Sequence, residues 1–121
     1  MATILLIEDM KGVRDSLEII LTMAGHTVSQ AEDGRQGLEK TSSNSYDLVI
    51  TDILMPEVDG TEVILKIKEH TPNQKIMAVS AGGSGVSADQ ALAIAAEKAD
   101  AVLEKPFSKD ELLHKVEELT K

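Results

Sequence analysis

The chain has 121 residues, 42% hydrophobic and 27% charged, a balance that suits one globular domain and argues against disorder. Its net charge of −9 and its aromatic poverty (no Trp, one Tyr, one Phe) oppose direct nucleic-acid binding, which needs a basic footprint and stacking surfaces. The absence of cysteine excludes disulfides and thiolate chemistry. No apolar run approaches the ~18 residues of a spanning helix, so no membrane contact is expected. The N-terminus enters an apolar strand without a basic n-region, so a soluble, cytoplasmic location is expected.

Thr3 to Ile7 reads as a buried strand ending in Glu8-Asp9. Val13, Leu17, Ile20, Leu21 and Ala24 then recur at helical spacing, and Gly25 stops that helix. His26 to Ala31 is a weaker strand, more polar at Thr27-Val28-Ser29 and expected near a sheet edge, and Asp33-Gly34 reads as a turn. Arg35 to about Ser43 is a weak helix anchored on Leu38, with Ser42 to Ser45 as a loop. Leu48-Val49-Ile50-Thr51-Asp52 is the most apolar strand pattern, expected to be buried on both faces. Beyond Met55-Pro56 and Asp59-Gly60, a helix carries Val63, Ile64 and Ile67 and ends at Thr71-Pro72-Asn73.

Lys75 to Val79 forms a fourth strand that ends in Ser80, followed by the glycine-rich loop Ala81 to Gly85. Ser87 to Gln90 has the form of a capping box and opens an alanine-rich fourth helix to about Lys98. Ala101-Val102-Leu103 is a short fifth strand leading to Lys105-Pro106. A second capping box, Ser108 to Glu111, starts a fifth helix with Leu112, Leu113, Val116 and Leu119 inward and Phe107 beneath it. The alternation is (βα)5, an α/β domain with a five-stranded parallel sheet and helices on both faces.

Strand ends carry the chemistry in such sheets. Here four of them end in Glu8-Asp9, Asp52, Ser80 and Lys105. Any one alone is most simply a capping or turn residue. Converging carboxylates repel one another and are relieved by a raised pKa or a bound cation. Oxygen donors without His or Cys suit a hard ion, Mg2+ first. A carboxylate nucleophile, a metal, an ammonium and a hydroxyl make a device for phosphoryl transfer to aspartate.

Glu8-Asp9, Asp52 with Met55-Pro56 and Asp59-Gly60, Ser80-Ala81 and Lys105-Pro106-Phe107 together resemble the receiver domains of two-component response regulators. The resemblance covers essentially all of residues 1–121 and implies a doubly wound, flavodoxin-like sheet of order 2-1-3-4-5. It implies Asp52 as the phosphoacceptor and Mg2+ held by Asp9, Asp52 and the backbone carbonyl of Leu54, with Glu8 assisting through water. Lys105, aimed by a cis bond to Pro106, would contact the phosphoryl group, and Ser80 would close on it. The donor would be a histidine kinase or histidine phosphotransfer protein. A downstream protein would read the surface of the fourth helix, fifth strand and fifth helix, and no turnover enzyme is implied.

The sequence departs from the family at three places. Val102 stands where an aromatic residue or His usually reports the state of the hydroxyl residue, so ring-based switching between Ser80 and position 102 is in doubt. Lys98 replaces a common glycine, and the segment from Ser80 to Lys105 is about three residues longer than usual, the excess lying in Gly82 to Gly85. That loop is expected to be ordered by phosphate or a partner. Leu54 and Gly82 offer no polar group to orient an attacking water, so self-catalysed hydrolysis is expected to be slow. Leu54 also weakens one alternative, a Mg2+-dependent phosphohydrolase with an aspartyl nucleophile. A second alternative, a receiver-like scaffold that never accepts phosphate, sits poorly with the complete acid set. No output domain is expected within these residues. They fit either a stand-alone regulator or a receiver from a longer chain. His26, His70 and His114 are expected to serve surface or packing roles, Met10, Met55 and Met77 to pack, and Lys66, Lys68 and Glu69 to lie on a helix exterior with no special role.

Overall fold

A computed structural model describes residues 1–53, 60–80, 97–104 and 107–121. Its strands are β1 (Thr3–Ile7), β2 (Thr27–Ala31), β3 (Leu48–Asp52), β4 (Ile76–Ser80) and β5 (Ala101–Glu104). Among the described residues the helices are α1 (Lys11–Met23), α2 (Gly34–Ser43), α3 (Gly60–His70) and the C-terminal α4 (Lys109–Leu119). The expected helix from Ser87 lies outside the described residues except at 97–98, which are helical. So do the glycine loop, Met55-Pro56 and Lys105-Pro106 with its expected cis bond.

All strand pairs are parallel, in the order β2-β1-β3-β4-β5. Period-2 alternation divides the core in two. Ile4, Leu6, Leu48, Ile50, Met77, Val79 and Leu103 meet Leu17 and Leu21 of α1 and Leu112 and Val116 of α4. Leu5, Ile7, Val49, Ile76 and Ala78 face the other way, onto Val63, Ile64 and Ile67 of α3. β3 is buried along its whole length, as a central strand covered on both sides must be. The polar strand TVSQA lies at the edge, where one side needs no apolar partner.

Local signals fix the ends of the helices. Gly25 takes φ +99°, in the left-handed region that lets the chain leave α1 for β2. At α4, the Ser108 side chain accepts from the Glu111 N–H while Glu111 accepts from the Ser108 N–H, the reciprocal cap expected there. Asp33-Gly34 is no turn. Asp33 caps α2 by accepting from the Gln36 N–H at 2.8 Å, and Gly34 is already helical. The helix ends at Ser43, the bound expected for it, with Asn44 as its C-cap, so of the expected loop only Asn44 and Ser45 lie outside it. Ala24 and Met10, expected to pack, are exposed, and His26 precedes β2 rather than lying in it.

Two aspartates clasp the amino ends of neighbouring strands in the same way. Asp47, just before β3, accepts from the Thr3 N–H and donates its own N–H to the Thr3 carbonyl, each at 2.8 Å. Asp100, just before β5, does the same with Ile76 of β4, again at 2.8 Å for both bonds. Lys68 of α3 completes the second clasp, 2.9 Å from Asp100 and 2.6 Å from the Gln74 carbonyl. The bland surface role read for Lys68 is therefore corrected: it ties a helix to two strand entries.

Burial pushes the Asp100 carboxyl up, but the hydrogen bonds from Lys68 and the Ile76 amide outweigh it, and the group sits below its ordinary value. A carboxyl lowered in the folded state stabilises above its unfolded pKa, and that contribution fades as pH falls through the folded value. Asp100→Asn is expected to lower stability at neutral pH in urea unfolding, with the gap to wild type closing below about pH 4.

Gly37 brings α2 onto the sheet. A Cβ there would lie 2.4 Å from Ile7 Cδ1 and 2.9 Å from Ile7 Cγ1, and Ile7 is fully buried. Ala is the better helix former by about 1 kcal/mol, yet overpacking a rigid β-branched neighbour costs about 1–3 kcal/mol. Gly37→Ala is therefore expected to destabilise the fold by about 1 kcal/mol, with Ile7→Val in the same chain recovering part of the loss.

Candidate functional site

The register of the parallel ladders brings four strand ends side by side. Ile7 pairs with Thr51, Asp52 with Val79, and Ser80 with Glu104. Asp52 is the last residue of β3, and the ladder continues one step past it, with the Ile53 N–H donating to the Val79 carbonyl at 3.0 Å. The backbone carrying Asp52 is thus held on both sides. Its side chain lies in a residue only 7% exposed.

β1 stops at Ile7, and the chain bends at Asp9. The Glu8 N–H still reaches the Ala31 carbonyl of β2 at 3.1 Å. Glu8 is 2% exposed. One carboxylate oxygen from each of Glu8, Asp9 and Asp52 lies within 4.8 Å of the others, with Asp9 on the solvent side. Like charges at about 4 Å cost about 1 kcal/mol in water and about 4 kcal/mol at an effective dielectric of 20. Such a group attracts positive charge. Three carboxylates with no nitrogen or sulfur donor among them can hold a hard divalent cation, and the donor set fits Mg2+.

The expected site residues fall into three groups. Glu8, Asp9 and Asp52 are brought together. Ser80 ends β4 beside Glu104, and Val102 sits in β5 opposite Ala78, partly buried on the α3 face of the sheet. Lys105 and Leu54 lie outside the described residues.

Sequence reasoning missed Arg14. It is 6% exposed, and its Nη1–H donates to the Glu8 carbonyl at 2.8 Å. Its Nε–H donates to Gln30 Oε1 at 3.2 Å, and the Gln30 amide in turn donates to Asp15 and Glu18. The signal was present: positions 14, 17 and 21 share a helical stripe, and Leu17 and Leu21 are core residues.

Residues 4–117 match the response regulator receiver domain family. The response regulator MprA of Mycolicibacterium vanbaalenii is 34% identical over 116 residues, 96% of this chain and 49% of that protein. The chain thus spans about half the length of the MprA relatives it matches. The chemotaxis protein CheY of Thermotoga maritima is 35% identical over 98% of this chain and 97% of its own length. Among solved structures, a receiver domain protein from Clostridium thermocellum superposes with a TM-score of 0.89 at 28% identity, covering 99% of this chain and 94% of that one. The response regulator TrrA of Thermotoga maritima, solved in complex with Mg2+ and BeF, gives 0.85 at 35% identity, over 98% and 99% of the two chains. With the sheet order, the acidic corner and these likenesses in agreement, the chain belongs to the response regulator receiver domain family.

Proposed function

We propose that residues 1–121 form one receiver domain that accepts a phosphoryl group on Asp52 from a histidine kinase or histidine phosphotransfer protein. The observation that carries this reading is the meeting of Glu8, Asp9 and Asp52 at the carboxyl edge of the sheet. Further support comes from the TrrA likeness, since that protein was solved with Mg2+ and BeF.

Asp9, Asp52 and the Leu54 carbonyl would hold Mg2+, with Glu8 assisting through water. When bound, the cation neutralises charge on the phosphoryl oxygens. Asp52 reacts as a carboxylate, so no base is needed. One of its oxygens bonds to phosphorus as the phosphorus–nitrogen bond of the donor breaks, leaving the electron pair on the imidazole nitrogen and an acyl phosphate on Asp52. Lys105 supplies a fixed positive charge to the phosphoryl group and Ser80 a hydroxyl donor. The new dianionic charge draws both toward it. A downstream protein partner then reads the altered surface of the helix before β5, β5 itself and α4. Val102, packed on the α3 face of the sheet, has no ring to swing into the space Ser80 would vacate. The acidic balance of the chain favours protein partners over nucleic acid.

Incubation with acetyl phosphate and Mg2+ is expected to add the mass of one HPO3 unit to the intact protein, and Asp52→Asn is expected to abolish the adduct in mass spectrometry. An equal adduct on Asp52→Asn overturns the assignment. The acyl phosphate is expected to decay over minutes rather than seconds in a chase without donor, because positions 54 and 82 carry Leu and Gly.

A further inference from the structure

We propose that Arg14 is a positioning residue for the metal site, and that it acts by pinning the peptide between Glu8 and Asp9. The inference rests on the Mg2+ reading above and extends it to a residue whose guanidinium donates to a main-chain carbonyl of the cluster and to Gln30.

Consecutive side chains on a strand point to opposite faces. Glu8 and Asp9 are consecutive, yet an oxygen of each comes within 4.8 Å of the other and of Asp52. The chain must therefore leave the extended form between them, and it does so at the bend on Asp9. The sheet cannot hold this departure, because the strand pairs of β1 end at Ile7. The Glu8 N–H is still caught by Ala31, but the Glu8 carbonyl belongs to the turned peptide itself.

Arg14 grips that carbonyl from the first turn of α1, at 2.8 Å and out of water. Its own backbone N–H donates to the Met10 carbonyl at 2.9 Å, so one residue holds both sides of Asp9. The guanidinium is fixed in turn by Gln30, whose amide is held by Asp15 and Glu18. A planar donor with two arms spent on separate acceptors cannot rotate without losing one of them.

Positioning and charge separate by comparing two ions of equal charge. Mg2+ demands near-ideal octahedral geometry, whereas Ca2+ accepts looser shells. Loss of a countercharge, or partial loss of fold, shifts both affinities alike. A slackened Glu8-Asp9 peptide penalises the stricter ion. The experiment measures Mg2+ and Ca2+ dissociation constants by calorimetry for the wild-type chain, Arg14→Met and Arg14→Lys. In parallel it measures hydrogen exchange at the Asp9 amide without metal.

The expected result is a fall of about tenfold in the preference for Mg2+ over Ca2+, the scale seen when a residue behind a metal ligand is removed. Faster exchange at Asp9 is expected to accompany it. An unchanged ion preference in either variant that retains wild-type circular dichroism overturns the proposal. Arg14→Lys serves where Arg14→Met does not fold. If the wild-type chain binds no Mg2+, the metal reading itself fails, and unchanged Asp9 exchange in the variants would then overturn the pinning as well.

Discussion

The mutual repulsion of three carboxylates is the constraint around which this fold is arranged. Left to themselves, Glu8, Asp9 and Asp52 would separate into water. They are kept within 4.8 Å because the backbones that carry them are already committed elsewhere: Asp52 to the carboxyl end of a fully buried central strand, Glu8 to Ala31 and Arg14. Apolar burial on both faces of the sheet supplies the free energy that electrostatics at the edge opposes. The stability of the core and the crowding at the edge are thus two sides of one balance, which a cation held by the three carboxylates would ease.

Much of this arrangement was legible in the residues. The alternating strands and helices, the edge place of β2, the depth of β3 and the capping box before α4 all followed from local pattern, because each expresses one dominant local force. The acids could be placed at strand ends because a parallel sheet aligns those ends. What stayed hidden depends on contacts between distant segments. Gly37 looks like a flaw in a helix until Ile7 is seen beneath it. Asp33-Gly34 reads as a turn until the helix it caps is known. Lys68 looks like any surface lysine until Asp100, far along the chain, comes to meet it.

Arg14 shows the same limit at the site itself. A charge on a helical stripe is commonly a solvated exception, and only the fold reveals that its acceptor is a main-chain carbonyl at the mouth of the acidic corner. The resemblance to receiver domains implies roles for the side chains at the strand ends. It gave no weight to a residue whose contribution passes through a peptide plane. Groups that act on the backbone leave a faint trace in sequence, because their partners are present at every position.

The paired aspartate clasps also set the register of the sheet. Parallel strands lack a hairpin to set their alignment, and a slip of one residue would invert every side chain. Asp47 locks β1 to β3 and Asp100 locks β4 to β5, both at the amino ends. Those locks sit a strand's length, roughly 16 Å, from the carboxylates. They work as indexing pins: small adjustments at the acidic rim can proceed while the opposite rim keeps count of the residues.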